Sequence, residues 1–424
     1  MKKANAIVTT LILMALLSGS SAGVQKGMSV ASYWHDQYSY PESDSSLVAL
    51  SRTGVNWIAL LATWYQDSIT STEIYRDVLQ TPDDSSLIHV IDRAHELGLK
   101  VMLKPHVDPQ DLSWRALIQF NNEAEWRKWF SSYTAFITHY ARIARDCGVE
   151  QFCVGCELTG TIHREVDWQL VIDSVRACYD GPLTYAANWW LAYDSVEFWH
   201  ALDFAGIDGY FELTDLQDPT PEELLDAWQN WLPEVEDFYE RTGKPILITE
   251  IGYRSIDGCN KNPWDWWSPG EIEMEEQNDC YFAACSTFWN KEWFNGIFFW
   301  SWEVDRPGGP LDDGYTPRGK PAEEFMTEWF TRDSVTVAEE LPVSAVPDLT
   351  IRTYPVPFSE CSFIQSGPST VRVYDSLGRE ICTLQPKNSI CRWDGRDAQG
   401  RRQPNGIYLY KAGDQTVKTL LISS

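Results

Sequence analysis

The sequence has few basic residues. Its 424 residues include 34 Lys and Arg against 61 Asp and Glu, which gives a formal net charge of −27. Proteins that bind nucleic acid need clustered Lys and Arg to neutralise phosphates. The composition therefore argues against a nucleic-acid partner and favours a neutral one.

Phosphate-binding motifs are also missing. No G-x-G-x-x-G follows the first predicted strand, and no P-loop pattern occurs anywhere in the chain. These glycine-rich turns are what let a backbone approach phosphates closely. The sequence therefore predicts no nucleotide site, and we expect neither a metal nor an organic cofactor.

Long apolar runs are absent after the N-terminus. The chain begins with Met1, Lys2 and Lys3, and an apolar run from Ala6 to Leu17 is followed by small residues. This pattern is typical of a secretory signal peptide, and the run is too short to cross a bilayer. We expect residues 1–22 to be the signal, no membrane span, and a protein that is secreted or held at the cell surface.

Cysteine is moderately abundant, and ten residues in an exported chain permit disulfides. Cys259 and Cys280 flank a long predicted loop and are the first candidate pair. Cys153 and Cys156 form a C-x-x-C, but they lie within a predicted strand and have no second ligand pair. Metal or redox use of that motif is therefore disfavoured.

Short apolar runs alternate with amphipathic helical segments from residue 26 to about 331. Eight runs are predicted strands: Gly27–Tyr33, Val55–Thr63, Lys100–His106, Gln151–Glu157, Leu183–Asn188, Phe204–Tyr210, Pro245–Glu250 and Gly296–Trp302. Eight strands with intervening helices over roughly 300 residues predict a TIM (β/α)8 barrel, which we assign to residues 23–334. A doubly wound open sheet is the main structural rival, and the missing phosphate-binding motif argues against it.

The composition changes after Arg332. Residues 335–349 are rich in Val, Pro and acidic side chains, which predicts a linker. Residues 350–424 contain short alternating segments, such as Val371–Tyr374 and Gly406–Tyr410, separated by turn sequences. They predict a small all-β, Ig-like antiparallel sandwich.

Two glutamates close apolar strands of the predicted barrel. Glu157 ends the fourth run and Glu250 ends the seventh. Barrel enzymes carry their reactive groups at the C-terminal ends of strands, and a carboxylate placed there without a purpose would be costly to bury. Glycosidic bond cleavage needs one carboxylic acid and one carboxylate. We predict that Glu157 and Glu250 are catalytic; an ion-paired rim residue is the alternative for either one alone.

Three segments resemble clan A glycoside hydrolases: Val154-Gly-Cys-Glu-Leu158, Ile248-Thr-Glu-Ile-Gly252 and Phe298-Phe-Trp-Ser-Trp302. Over residues 24–331 the chain looks most like family 113, the β-mannanases. The resemblance implies a retaining enzyme of β-1,4-mannan or mannooligosaccharides, with Glu157 as acid/base and Glu250 as nucleophile. Two alternatives stay open: the same chemistry on another β-glycan such as glucan or xylan, and a non-catalytic carbohydrate-binding barrel.

One residue departs from the clan pattern. Most clan A enzymes have Asn immediately before the acid/base, where its amide contacts the sugar 2-hydroxyl, whereas this chain has Cys156. A thiol is a weak donor and a weaker acceptor. Recognition of that hydroxyl must therefore come from elsewhere, and Asn188 at the end of the fifth run is a possible replacement.

Other strand-end residues are candidates for substrate binding. Lys104 and His106 on the third run could bind sugar hydroxyls or form a rim ion pair, and Tyr210 could hold Glu250 ionised. Tryptophan faces stack on sugar rings, and the chain has 21 tryptophans. Trp300 and Trp302 share a parity on the eighth run, which places both inside the barrel. Candidates for flanking subsites are Trp34, Trp64 and the loop group Trp264, Trp266 and Trp267.

The C-terminal segments also resemble a known module. Val371–Arg379, Trp393–Gly400 and Pro404–Tyr408 are similar to the Ig-like module related to the flagellar hook-cap protein and to sorting domains of type IX secretion. The resemblance implies contact with secretion or cell-surface machinery. A spacer without a sorting role is the alternative.

Overall fold

The computed structural model describes most of the chain. The described residues are 23–190, 192–306, 308–331, 352–354, 362–365, 370–375, 379–386, 390–404, 406–412 and 415–421. The chain divides into two compact units, residues 1–333 and 334–424. The predicted signal peptide (residues 1–22) and linker (335–349) lie outside the described residues, so their boundaries stay predictions.

The first unit is a closed barrel of eight parallel strands in sequence order, which confirms the predicted TIM fold. The strands are β1 (Gln25–Val30), β2 (Trp57–Gln66), β3 (Lys100–Pro109), β4 (Gln151–Cys156), β5 (Leu183–Asn188), β6 (Ala205–Asp208), β7 (Ile246–Ile251) and β8 (Phe294–Phe299). Parallel neighbours bring all their C-terminal ends to one mouth.

Helices connect the strands. They are α1 (Pro41–Leu50), α2 (Asp84–Glu96), α3 (Glu123–Asp146), α4 (Glu165–Arg176), α5 (Pro221–Thr242), α6 (Met274–Phe288) and α7 (Pro321–Thr331). Helix α5 shows the local signals that fix these bounds: Thr220 and Glu223 form a capping box, and Gly243 ends the helix with φ 62°. None of the described helices is both long and apolar enough to cross a membrane.

Large side chains fill one end of the barrel interior. Trp57, Met102, Leu247 and Phe298 pack together, the first three near the starts of β2, β3 and β7. Gly27 on β1 is required there, because a Cβ at that position would lie 2.2 Å from the Phe298 ring. Gln25 and Gln151 bond to each other at this end, and the ionisable groups Lys104, Asp208 and Glu250 meet towards the mouth.

Strand β4 is irregular just before the mouth. Its pairing with β5 shifts register between Cys153 and Cys156. Residues three apart on a regular strand face opposite sides, yet both thiols pack with Ala186 of β5. The C-x-x-C is thus part of the packed barrel, and the irregularity re-aims the residue that follows, Glu157.

The described residues of the second unit form β-strands and their connections, as predicted. Strands β9 (Arg352–Tyr354), β10 (Ser362–Gln365), β11 (Val371–Asp375), β12 (Glu380–Leu384), β13 (Ile390–Trp393), β14 (Gly406–Ala412) and β15 (Gln415–Leu421) form two antiparallel sheets. Their orders are β13-β10-β9 and β12-β11-β14-β15. Val371, Val373, Trp393, Tyr408 and Tyr410 are buried in a cluster of their own.

Candidate active site

Glu157 has an unusual backbone conformation. It follows the last residue of β4 with φ 56°, in the left-handed region that few non-glycine residues adopt. Its N–H donates to the Ala186 carbonyl (2.8 Å), and the next N–H, of Leu158, donates to the Tyr185 hydroxyl (3.0 Å). Two bonds to β5 thus hold a conformation of a kind that clusters at functional sites.

The Glu157 carboxyl is surrounded by few donors. The Asn188 amide donates to Oε1 (2.7 Å), and Thr159 donates to the Asn188 carbonyl (2.6 Å), which fixes the amide. Burial raises the pKa of Glu157 to about 8, Arg115 opposes the rise, and the carboxylates of Asp208 and Glu250 add to it. Glu157 therefore keeps its proton at neutral pH.

Glu250 on β7 is held through both oxygens. Lys104 Nζ donates to Oε1 (2.5 Å), and the Tyr210 hydroxyl donates to Oε2 (2.7 Å), so the predicted Tyr210 contact is confirmed. Burial and Asp208 raise the pKa of Glu250, and the bonds from Lys104 and Tyr210 oppose that rise. Glu250 has a cationic and a hydroxyl donor where Glu157 has one amide, so Glu250 is the better stabilised anion.

Lys104 joins two strands other than its own. It is fully buried and donates to Asp208 Oδ1 (3.0 Å) as well as to Glu250. Burial alone would lower the pKa of Lys104, but the negative charges around it, Asp208 foremost, raise the pKa well above its ordinary value. The lysine is therefore a fixed cation between two carboxylates. Asp208 also accepts from Thr249 (2.8 Å) and from the Cys156 thiol (3.3 Å).

Arg115 lies beside Glu157 and His106 and was not among the predicted residues. It lies in the 3-10 turn Arg115–Leu117 after β3, and two of its nitrogens contact Asp108 at 2.7 and 2.8 Å. Its Nη1 lies 3.0 Å from His106 Nδ1 and 3.8 Å from Glu157 Oε2. A loop arginine carries no periodic signal in a sequence, because it neither ends a strand nor follows a helix pattern.

His106 lies between Arg115 and Glu250. Its side chain is buried, and its Nε2 is 3.9 Å from Glu250 Oε1. Burial, Arg115 and Lys104 all lower the pKa of His106 well below its ordinary value, so the ring is neutral. Lys104 and His106 are thus brought to Glu250 inside the barrel mouth and not to the outer rim.

Two groups of side chains in the described part of the chain have ligand atoms close enough for a metal. His106, Cys156 and Glu250 place theirs within 4.8 Å of one another, but the adjoining cations Lys104 and Arg115 oppose a further positive charge.

The second group, Cys259, Glu276 and Cys280, meets the same distance limit. The Glu276 carboxylate already accepts from the Gly258 N–H (2.7 Å) and from Asn260. The candidate disulfide partners Cys259 and Cys280 are therefore neighbours, but they are free thiols in the structure.

The predicted tryptophans separate into two sets. Trp300 directly follows β8, and its backbone N–H donates to the carbonyl of Ile251 (2.7 Å), the residue after Glu250. Trp34 lies in the loop after β1 and is 43% exposed. Trp64 instead has the outward parity of β2, and its indole donates to Tyr140 of α3 (2.9 Å). Trp302 is fully buried and donates to Ser46 of α1 (2.9 Å), because β8 ends at Phe299 and the parity argument does not extend to it. The structure brings neither Trp64 nor Trp302 to the site.

Other aromatic residues line the mouth. Tyr33 and Trp34 border a pocket of about 360 Å³ that also includes Glu303. On the loops after β3 and β5, Trp114 and Trp190 are partly exposed and their rings lie 4.6 Å apart. Tyr33, Trp114 and Trp190 were missed, since only their place on mouth loops distinguishes them from the core aromatics.

Glu212 fixes two further tryptophans at this face. It accepts from the indole of Trp264 (2.8 Å), a member of the predicted loop group, and from that of Trp189 (3.1 Å). A protonated carboxylic acid, a stabilised carboxylate and exposed aromatic faces thus lie at the same end of the barrel. Such an arrangement can protonate a leaving oxygen and attack a carbon while rings hold a sugar chain.

Known proteins with the same barrel are similar to this chain in sequence. Residues 30–320 match Glycoside Hydrolase Family 113. A solved GH113 β-1,4-mannanase is 30% identical over 73% of this chain and 99% of its own, with a TM-score of 0.68. The GH113 β-mannanase AaManA from Alicyclobacillus acidocaldarius, solved in complex with ManMIm, is 31% identical over 73% and 98%, with the same TM-score.

More distant structures share only the fold. A β-glucuronidase from Ruminococcus gnavus is 14% identical over 72% of this chain and 50% of its own, with a TM-score of 0.50. No curated protein matches the chain. The family match spans more than half of the sequence, and the first two relatives are covered almost completely. The chain belongs to glycoside hydrolase family 113.

Proposed function

We propose that the protein is a secreted, retaining hydrolase of β-1,4-mannan or mannooligosaccharides that works by double displacement. The observation that carries the proposal is the unequal setting of the two glutamates. Glu157 sits where burial keeps its proton, and Glu250 is held by Lys104 and Tyr210. Two carboxyl groups with opposite protonation are what glycoside hydrolysis requires.

The first step uses both groups at once. Glu250 attacks the anomeric carbon as the bond to the leaving oxygen breaks, and Glu157 gives that oxygen its proton. The product is a glycosyl ester on Glu250, and Glu157 is left ionised. Lys104 stays charged through the step because Asp208 remains beside it.

The second step reverses the roles. Ionised Glu157 takes a proton from a water molecule, the water oxygen attacks the anomeric carbon, and the ester bond to Glu250 breaks. Two inversions restore the β configuration. Asn188, which donates to Glu157 Oε1, keeps the carboxyl aimed at the same point for both proton transfers.

The substrate class rests on kinship and on charge. Two relatives about 30% identical are named as β-mannanases. The net charge of −27 suits a neutral polysaccharide. Glucan or xylan would use the same two carboxylates, so the choice among β-glycans must be measured.

Purified protein should release reducing sugar from β-mannan and leave β-glucan and xylan intact. Proton NMR of the first product formed should show the β anomer before mutarotation. Activity on glucan or xylan alone would sink the substrate assignment, an α anomer would sink retention, and binding without turnover would make the protein a carbohydrate-binding barrel.

The two glutamates should respond differently to azide. Glu250→Ala and Glu157→Ala should each lower turnover of mannooligosaccharides about 10⁴-fold or more. With a dinitrophenyl mannoside, which needs no acid, azide should rescue both variants and yield the α azide from Glu250→Ala and the β azide from Glu157→Ala. Glu240→Gln on the exposed face of α5 is the matched control and should behave as wild type. The reverse pair of azides would exchange the two roles.

The pH profile should report the proton on Glu157. Because the pKa of Glu157 is raised to about 8, its acid form is lost as pH rises through that value. We expect kcat/KM on mannooligosaccharides to fall above pH 8 and kcat/KM on the dinitrophenyl mannoside to stay level. A basic limb of equal size on both substrates would assign the limb to another group.

Export of the protein should be separable from the hydrolytic activity of the barrel. Each unit has its own buried cluster, so a chain that ends at residue 345 should hydrolyse the substrate as wild type does but be exported or displayed differently. Activity in cell fractions and medium measures both effects. A chain that ends at residue 320 lacks α7, with buried Phe325, Met326 and Phe330, and should not fold. If the chain that ends at residue 345 failed to fold, the division of the protein into two independent units would be contradicted. If its export were unchanged, the second unit would be a spacer.

A further inference from the structure

Arg115 lies within 4 Å of four residues at the barrel mouth, Asp108, His106, Cys156 and Glu157. Its two contacts with Asp108 anchor the guanidinium, and the remaining nitrogen, Nη1, faces His106, the Cys156 sulfur (3.5 Å) and Glu157. The side chain is 16% exposed, so solvent screens its charge only in part. We propose that Arg115 is a positioning residue that acts on both catalytic glutamates, on Glu157 directly through its charge and on Glu250 through His106.

The action on His106 follows from donor and acceptor chemistry. A guanidinium only donates hydrogen bonds, so the nitrogen 3.0 Å from it, His106 Nδ1, must accept. In a neutral ring the single proton is then on Nε2. That nitrogen is buried, has no hydrogen-bond partner within the described structure, and lies 3.9 Å from Glu250 Oε1. Arg115 therefore aims an N–H at the nucleophile.

The action on Glu157 is electrostatic. The charged groups that face this carboxyl are Arg115, Asp208, Glu250 and Lys104, and the Asn188 amide donates to its Oε1. Asp208 and Glu250 favour the proton on Glu157, as burial does, while Arg115 is the nearer of the two cations that oppose it. Removing Arg115 would leave a weaker acid, which gives up its proton less readily to a leaving oxygen.

The proposal rests on the acid/base and nucleophile roles given above, but its test needs only a glycoside that the enzyme turns over. In Arg115→Met the basic limb of kcat/KM should move up by about one pH unit. The rate should fall about 10-fold or more on oligosaccharides and by less than about 3-fold on a dinitrophenyl glycoside. Arg115→Lys should return the limb towards wild type, since it restores the charge. Arg127→Met, at an exposed position on α3, should leave the limb unchanged.

The proposed action of Arg115 on His106 is tested by a separate measurement. In nitrogen-15 NMR spectra of the wild-type protein, with the His106 signals assigned from a His106→Gln variant, Nε2 should carry the proton and the ring should not titrate between pH 5 and 8. In Arg115→Met the ring should sample both tautomers and its pKa should rise, because a nearby cation is lost.

Three outcomes would overturn the proposal. If the basic limb of kcat/KM in Arg115→Met stayed in place or moved to lower pH, the proposed action of Arg115 on Glu157 would be refuted. A proton on Nδ1 in the wild type would remove the action on Glu250. Equal losses on both substrates with an unchanged limb would make Arg115 merely structural. Inactivity on mannan with a shifted limb on another glycoside would refute the proposed substrate and leave the proposed role of Arg115 standing.

Discussion

The active site is organised around one buried cation. Lys104 on β3 lies between Asp208 on β6 and Glu250 on β7, and both the lysine and the aspartate are fully buried. A buried ion pair repays its desolvation only when the geometry is good and the remaining lone pairs are bonded. Here Thr249 and Cys156 donate to Asp208, and Tyr210 donates to Glu250. Removing the lysine would leave two carboxylates buried without a cation beside them, so the arrangement of three strands at the mouth depends on it.

This cation also explains why two glutamates in one cleft behave differently. Lys104 contacts Glu250 directly and Glu157 only at a distance, so the carboxylate that gains most from it is Glu250. Glu157 has the partly exposed Arg115 at 3.8 Å instead, and burial dominates its pKa. The lysine lies on β3, and its side chain crosses the barrel to Asp208 on β6 and Glu250 on β7. This position explains why Glu250 is the stabilised anion and Glu157 keeps its proton. The chemistry of one glutamate is thus set by a partner that the other does not contact.

Much of this could be predicted from the sequence because it follows strand periodicity. Apolar runs that end in Glu157, Glu250 and Tyr210 gave the barrel and placed these residues at the mouth. Three features broke that periodicity and were missed. The register shift in β4 re-aims Glu157, Trp302 lies beyond the end of β8, and Arg115 reaches the site from a loop. Trp64 shows the converse, since the regular alternation of β2 turns it towards α3. Each miss lies where tertiary contacts, and not local spacing, decide the direction of a side chain.

Cys156 is best understood through the same cation. The sequence departs from the clan pattern here, and Asn188 was a possible replacement for the missing amide. In the structure the Asn188 amide is engaged with Glu157 and Thr159, and the Cys156 thiol points at Asp208 and Arg115. A thiol is small enough to leave room for the guanidinium beside it, and a weak donor suffices where Lys104 already neutralises Asp208. Cys156 thus belongs to the charge network inside the barrel mouth.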